Sequence, residues 1–213
     1  MRLYTLGGSR YGTRCLIQIR AKGLPVDIEV VPIPISPSFA AINPLMLVPA
    51  LDTGAGILRE ASVICEYLED AGSGPALRPD DHLSRARMRW LIRLFEIHYD
   101  PWMLRLYATR RGQLPDDQVA QCYAMMKRAL DIIADDLDGG SHALGGRLTL
   151  ADCALMPPFQ QAQIFLPDLG LPDPISSHPR IAAYFAQTRE DPDIAAVLDE
   201  MVVSMTGAMA RWK

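Results

Sequence analysis

Every strand-forming stretch of this chain lies in its first third; beyond about Arg78 only helical periodicity remains. A chain divided in this way folds as an α/β unit followed by an all-α unit, because sheets and helices bury differently shaped apolar faces. Within the first part, residues 2–6 read as a short strand, 13–22 as a helix and 26–33 as a second strand rich in Val and Ile, which makes a βαβ unit. Lys22-Gly23-Leu24-Pro25 stops the helix with a Gly suited to a left-handed cap and a Pro that cannot continue it. Pro32, Pro34, Pro37 and Pro44 forbid long regular structure and leave a loop with a turn or two of helix at 38–42. Residues 50–52 and 56–58 flank Thr53-Gly54-Ala55 as a hairpin, and a further helix carries Ala61, Ile64 and Leu68 before Ala71-Gly72-Ser73-Gly74-Pro75 ends it.

The remainder is amphipathic helix, clearest in Met126, Leu130, Ile133 and Leu137 and again in Ile194, Val197, Leu198, Met201, Val202 and Met205. The expected organisation is residues 1–75 as the α/β domain, 76–81 as a linker and 82–213 as the all-helical domain. A chain of 213 residues with 49% hydrophobic and 22% charged side chains can bury a substantial core, and a formal net charge of -4 gives no field for polyanions, so neither nucleic acid nor membrane is an expected partner. The opening residues carry no signal-like apolar run and no charge-free stretch reaches membrane-spanning length, so the expectation is a cytoplasmic protein. Cys15, Cys65, Cys122 and Cys153 are widely spaced and read as reduced thiols; His82, His98, His142 and His178 fall into no ligand spacing, so no metal is implied.

Leu3-Tyr4, a Ser before the first helix, Asn43-Pro44-Leu45-Met46-Leu47-Val48-Pro49-Ala50-Leu51, Leu58-Arg59-Glu60 and Thr149-Leu150-Ala151-Asp152 follow one another over nearly the whole chain. Each is weak alone. In this order and spacing they resemble the cytosolic glutathione transferase superfamily, in its serine-type, bacterial-like form. The resemblance implies the glutathione transferase fold, a thioredoxin-like glutathione-binding domain plus an all-α C-terminal domain, with glutathione as co-substrate and a homodimer as the assembly. It implies a cis Val48–Pro49 bond that exposes the Val48 backbone to the cysteinyl part of glutathione, and a binding set of Leu47, Val48, Pro49, Glu60, Ala61 and Ser62. Glu60 and Ala61 open a helix whose unpaired N–H groups favour a carboxylate, which the resemblance assigns to the γ-glutamyl end of glutathione. Three departures bear on affinity: Ala61 stands where the family usually has Ser, Met46 where Gly is common, and Leu47 where a polar residue often reaches the ligand. Ser62, about 100° further around the helix, is the nearest replacement for the missing hydroxyl.

A free thiol has a pKa of about 8.5, so a protein that uses glutathione as a nucleophile must stabilise the thiolate. Two units of lowering require about 2.7 kcal/mol, within reach of one hydroxyl donor and a helix N-terminus. Ser9 falls where serine-type members carry the activating hydroxyl, as a donor to sulfur, and the same Gly-Gly-Ser sequence also suits a helix cap. Tyr11 and Tyr4 are the alternative hydroxyls. Arg10 and Arg14 are cations near that position, suited to the thiolate, to an acidic second substrate, or simply to solvent. Cys15 reads as inert core. For the second substrate, a small electrophile, Tyr99, Trp102, Met103 and Tyr107 at helical spacing offer a wall beside Arg10 and Tyr11, against the alternative that the stripe packs between helices. Arg85, Arg87, Arg89, Arg93, Arg105, Arg110 and Arg111 form a basic run suited to acidic partners or to a solvated face. Thr149 and Asp152 read as a structural capping box. The expected activity is thiol transfer to a small electrophile; the alternatives are a non-catalytic interaction protein of the stringent-starvation type and a glutathione-dependent isomerase of maleyl compounds.

Overall fold

The computed structural model describes residues 1–109 and 114–210. They form two compact units: one joins Met1–Leu77 with the chain from Asp191 onward, and the other is Arg78–Glu190.

In the first unit, β1 (Arg2–Thr5), β2 (Asp27–Val30), β3 (Ala50–Asp52) and β4 (Ile57–Arg59) make a four-stranded sheet in the order β2-β1-β3-β4. β1 runs parallel to β2 and antiparallel to β3, and β3 runs antiparallel to β4. Side chains alternate across the sheet. Tyr4, Val31 and Ala50 form one buried cluster with Phe39, which a short 3-10 helix (Pro37–Ala41) supplies. Leu3 and Leu51, paired in register, are fully buried on the opposite side. β2 is shorter than the Val- and Ile-rich run that announces it and is exposed throughout, because it is an edge strand.

α1 (Arg10–Ala21) begins three residues before its apolar pattern does, because Ser9 caps it: the Ser9 hydroxyl accepts from the Gly12 N–H at 3.2 Å. Gly12 is required there, since a Cβ would collide with Thr5 Oγ1 of β1. α2 (Ala61–Ala71) lies alongside α1. Contacts between them advance in step: Arg14 with Ser62, Gln18 with the Cys65 carbonyl, and Lys22 with Glu69. The two helices therefore run parallel, with their N-termini at one end of the unit.

The second unit contains α3 (His82–Leu94), a π-helical turn (Phe95–Tyr99), α4 (Asp100–Thr109), α5 (Asp116–Asp136), α6 (Leu150–Asp168) and α7 (Pro179–Thr188). α6 is its buried centre; α3 and α7 pack on it. Asp152 in its first turn accepts from the Thr149 N–H and hydroxyl, the Ala143 N–H and the Tyr184 hydroxyl, all within 2.9 Å.

The last helix, α8 (Pro192–Ala210), packs along α1 and belongs to the first unit, so the stretch 82–213 is not one helical body. Its apolar stripe of Ile194, Val197, Leu198, Met201 and Met205 is buried, as its periodicity requires, but periodicity does not say against what.

Candidate active site

The strand register gathers three chain segments at one end of the sheet. Tyr4 pairs with Ala50 and Ala50 with Arg59, so the chain leaving β1 toward Ser9, the chain entering β3 through Val48 and Pro49, and the chain leaving β4 at Glu60 share that end. Two interstrand spacings separate β1 from β4, about 10 Å, which is the span of an extended tripeptide. Both α1 and α2 start at this end, so two positive helix termini converge on it.

Each segment is held by named contacts. Ser9 N–H donates to the Leu6 carbonyl at 3.1 Å, turning the loop back before α1 begins. Ser204 and Met205 of α8 lie so close to Gly7 and Gly8 that a side chain at either glycine would collide with them. Since Ser9 Oγ accepts from Gly12, its hydroxyl hydrogen is directed elsewhere and can be donated to a ligand. The Val48–Pro49 bond is cis. The loop before it is fixed by buried Asn43, whose Nδ2 donates to the Leu47 carbonyl at 2.7 Å and whose Oδ1 accepts from the Leu45 N–H at 3.1 Å. Arg59 Nε adds a bond to the Ile42 carbonyl at 2.9 Å. The Leu47 side chain is left exposed, and Met46 takes φ 55°.

Glu60 sits at φ 69° and ψ 122°, a conformation that costs a non-glycine residue about 1–3 kcal/mol. Its carbonyl accepts from the Ile64 N–H at 2.9 Å, which starts α2, while its carboxylate is exposed and does not cap the helix. The N–H groups of Ala61, Ser62 and Val63 at this uncapped start are those an α-helix leaves without intrahelical partners. A strained residue therefore precedes a helix start with N–H groups that no side chain of Glu60 caps.

Two expectations for the arginines are corrected. Arg10 and Arg14 are 8% and 2% exposed, so neither is a solvated side chain. Arg10 carries its guanidinium 5.3 Å over the ring of half-buried Tyr11, and Arg14 points under α2, where its Nη2 donates to Ser62 Oγ at 3.1 Å. The Ser62 hydroxyl is thus turned toward α1, which corrects its reading as a replacement for the hydroxyl that Ala61 lacks. Cys15 and Cys65 touch at 3.8 Å between the same helices, and both are buried. The Cys15 hydrogen bond, aided by the Arg14 charge, holds the Cys65 thiol below its ordinary pKa. Tyr4 is buried and packs edge-on against Phe39.

The aromatic wall is corrected in part. Tyr99 and Met103 have no exposed surface; Tyr99 packs on Phe95 and Phe159, so both residues are core of the second unit. Trp102 and Tyr107 are half-buried, Trp102 beneath the Arg105 guanidinium at 5.8 Å and Tyr107 against Phe165 at 4.2 Å. Much of the basic run is bound within its own unit: Arg85 to the Pro79 carbonyl, Arg87 to Asp136 and Asp138, Arg93 to Glu96 and Arg105 to Gln118. Arg110 and Arg111 lie outside the described residues.

Sequence reading missed Asn43 and the Arg14–Ser62 bond. The Asn-Pro dipeptide carried a signal for the first, since Asn before Pro favours a side-chain-to-backbone turn. Nothing local signalled the second, whose partners are 48 residues apart.

Residues 3–76 match the family pattern described as Glutathione S-transferase, N-terminal domain, and residues 116–187 match Glutathione S-transferase, C-terminal domain. A maleylpyruvate isomerase of Ralstonia sp is 33% identical over 79% of this chain and 85% of its own length. A maleylacetoacetate isomerase of Rattus norvegicus is 28% identical over 83% of this chain and 84% of its own. Among solved structures, a bacterial maleyl pyruvate isomerase described as a Zeta-class glutathione S-transferase superposes with a TM-score of 0.78 at 28% identity, covering 92% of this chain and 96% of that one.

Proposed function

This chain belongs to the cytosolic glutathione S-transferase superfamily, and from that premise we propose that it is an enzyme that lays glutathione across the sheet end and activates its thiol with Ser9. The observation that carries the reading is the junction at Glu60: a strained residue with a free-facing carboxylate at an uncapped helix start, level in register with the cis Val48–Pro49 step.

The ligand's cysteinyl backbone pairs with the Val48 N–H and C=O, in the manner of a strand added to an open edge, with Leu47 and Pro49 bounding it. Its γ-glutamyl carboxylate meets the N–H groups of Ala61 and Ser62, and its ammonium meets the Glu60 carboxylate. The thiol then lies toward Ser9, whose hydroxyl donates to the sulfur; the N-terminus of α1 behind it adds to the stabilisation of negative charge. The resulting thiolate attacks an electrophilic carbon.

The relatives favour a substrate with a cis double bond between carbonyl groups, of the maleyl kind. Addition of the thiolate to one carbon of that bond leaves a single bond free to rotate, and expulsion of the thiolate regenerates glutathione and the trans product. Arg10, buried and one residue from Ser9, supplies a cation for a substrate carboxylate. Thiol transfer to another small electrophile shares the first step and differs only in lacking the expulsion. The enzyme acts as a homodimer in the cytoplasm. Four free cysteines suit a reducing compartment, and an open groove of about 440 Å³ on α2, lined by apolar Leu58 and Val63 among others, suits a second copy.

Calorimetric titration of glutathione into the wild type and Ser9→Ala, followed by thiolate absorbance of each complex from about pH 5 to 9, tests the reading. Sub-millimolar binding with a thiol pKa lowered in the wild type and restored in Ser9→Ala is the expected result. Absence of binding at several millimolar would sink it and leave the interaction-protein reading. With binding in hand, conversion of a maleyl substrate to its trans isomer without consumption of glutathione separates isomerisation from transfer.

A further inference from the structure

Arg14 is one of the largest fully buried side chains of the protein, 2% exposed, in the second turn of α1. Burying a guanidinium is costly unless hydrogen bonds and an electrostatic role compensate. Its Nη2 donates to Ser62 Oγ at 3.1 Å, and Ser62 is the second residue of α2. One turn further on, the same charge helps pull the Cys65 thiol down, so the guanidinium lies behind the first turn and a half of α2. That turn holds the N–H groups of Ala61, Ser62 and Val63, already at the positive end of the helix dipole. Most of this seam is buried, and the bonds of Gln18 and Lys22 continue it to the far end of both helices.

We propose that Arg14 is a positioning residue of the glutathione site: it fixes the first turn of α2 through Ser62 and adds its charge behind the N–H groups that receive the γ-glutamyl carboxylate. This inference rests on the glutathione reading above. It also assigns a role to the Ala61-Ser62 pair. The hydroxyl absent at Ala61 is offset from behind the helix, by a cation held through the hydroxyl at Ser62, rather than by a direct side-chain contact with the ligand. Arg14 touches no reacting atom and leaves the thiol to Ser9.

The test uses two ligands and two readouts. Glutathione and an analogue without the γ-glutamyl α-carboxylate, 4-aminobutyryl-cysteinyl-glycine, are titrated into the wild type, Arg14→Gln, Arg14→Lys and Ser62→Ala; amide hydrogen exchange at residues 61–63 is followed in the ligand-free proteins. Arg14→Gln weakens glutathione binding about tenfold, the scale of a lost charge-assisted interaction, and leaves the analogue within about twofold. Arg14→Lys recovers part of the loss, the thiol pKa of bound glutathione does not move, and exchange at 61–63 quickens in Arg14→Gln. Ser62→Ala, which keeps the fold if Arg14→Gln does not, repeats the ligand selectivity at about threefold. Equal weakening of both ligands, or unchanged affinity for glutathione, overturns the positioning role, and so does unaltered exchange at 61–63. A wild type that binds neither ligand overturns the glutathione reading and this inference with it; normal wild-type binding with unselective variants overturns the inference alone.

Discussion

Along the seam between α1 and α2, buried side chains meet one partner each and leave Gln18 Oε1 without a hydrogen bond among the described residues, whereas around Asp152 four donors converge on a single carboxylate. Both arrangements answer the same requirement, that a polar group taken from water must find partners. They differ in where their consequences reach. The seam runs along two parallel helices to the end where Ser9 and Glu60 sit, so disturbing it reaches the site. The Asp152 cluster ties the segment before α6 to α6 and α7, and disturbing it reaches only the folding of its own unit. A buried polar network is therefore informative about function through the element it immobilises, not through its charge count.

Five substitutions break or sharpen that contrast. The largest effect is expected for Asp152→Ala, which strands four donors and lowers unfolding free energy by about 4 kcal/mol in urea denaturation. Lys22→Met follows at about 3 kcal/mol, because it leaves Glu69 buried without its cation, although Glu69 keeps its bond from the Leu77 N–H. Lys22→Met with Glu69→Leu should recover most of that loss; a double variant no better than the single would show that the pair is not balanced by desolvation.

Ser9→Ala should cost only about 1 kcal/mol of stability as a lost cap, yet raise the thiol pKa of bound glutathione by about one to two units and lower turnover by about 10 to 100-fold. A stability loss without the pKa change would reduce Ser9 to a cap.

The smallest effect concerns pH. Burial raises the pKa of the Asp152 carboxyl from its ordinary value, and its hydrogen bonds pull in the opposite direction without cancelling the rise. A raised folded pKa gives stability that is present below the unfolded value and lost as pH rises through the folded one. Asp152→Asn removes that dependence, so the stability of the wild type relative to this variant should fall as pH rises from below the ordinary carboxylate range toward neutrality. A difference that is flat with pH would mean that the four donors outweigh burial.

The fold was legible in the sequence to the extent that it rests on local signals. The change from strand to helix periodicity, the Gly23-Pro25 stop, the hairpin at Thr53-Gly54 and the Thr149-Asp152 cap all appear as read, within a few residues at their ends. Of the candidate segments, the cap at Ser9 and the helix after Glu60 were readable from local signals, whereas the cis Val48–Pro49 bond came only from the family resemblance. Helical spacing left the Tyr99 and Met103 stripe open between a substrate wall and a packed face, because it identifies a face without saying whether another helix covers it; the structure shows the packed face. The destination of α8 escaped for the same reason.

What the sequence by itself determined, then, is the order of elements, with their caps, turns and stops, since hydrogen bonds over a few residues and the steric limits of Gly and Pro decide them. Only the tertiary structure decided that Arg14 lies buried beneath α2 and binds Ser62, that Ser62 turns from the ligand side, and that the last helix closes on the first. Those contacts join residues separated by dozens of positions, and a side chain's partner across that distance is chosen by how helices pack, which no local pattern encodes.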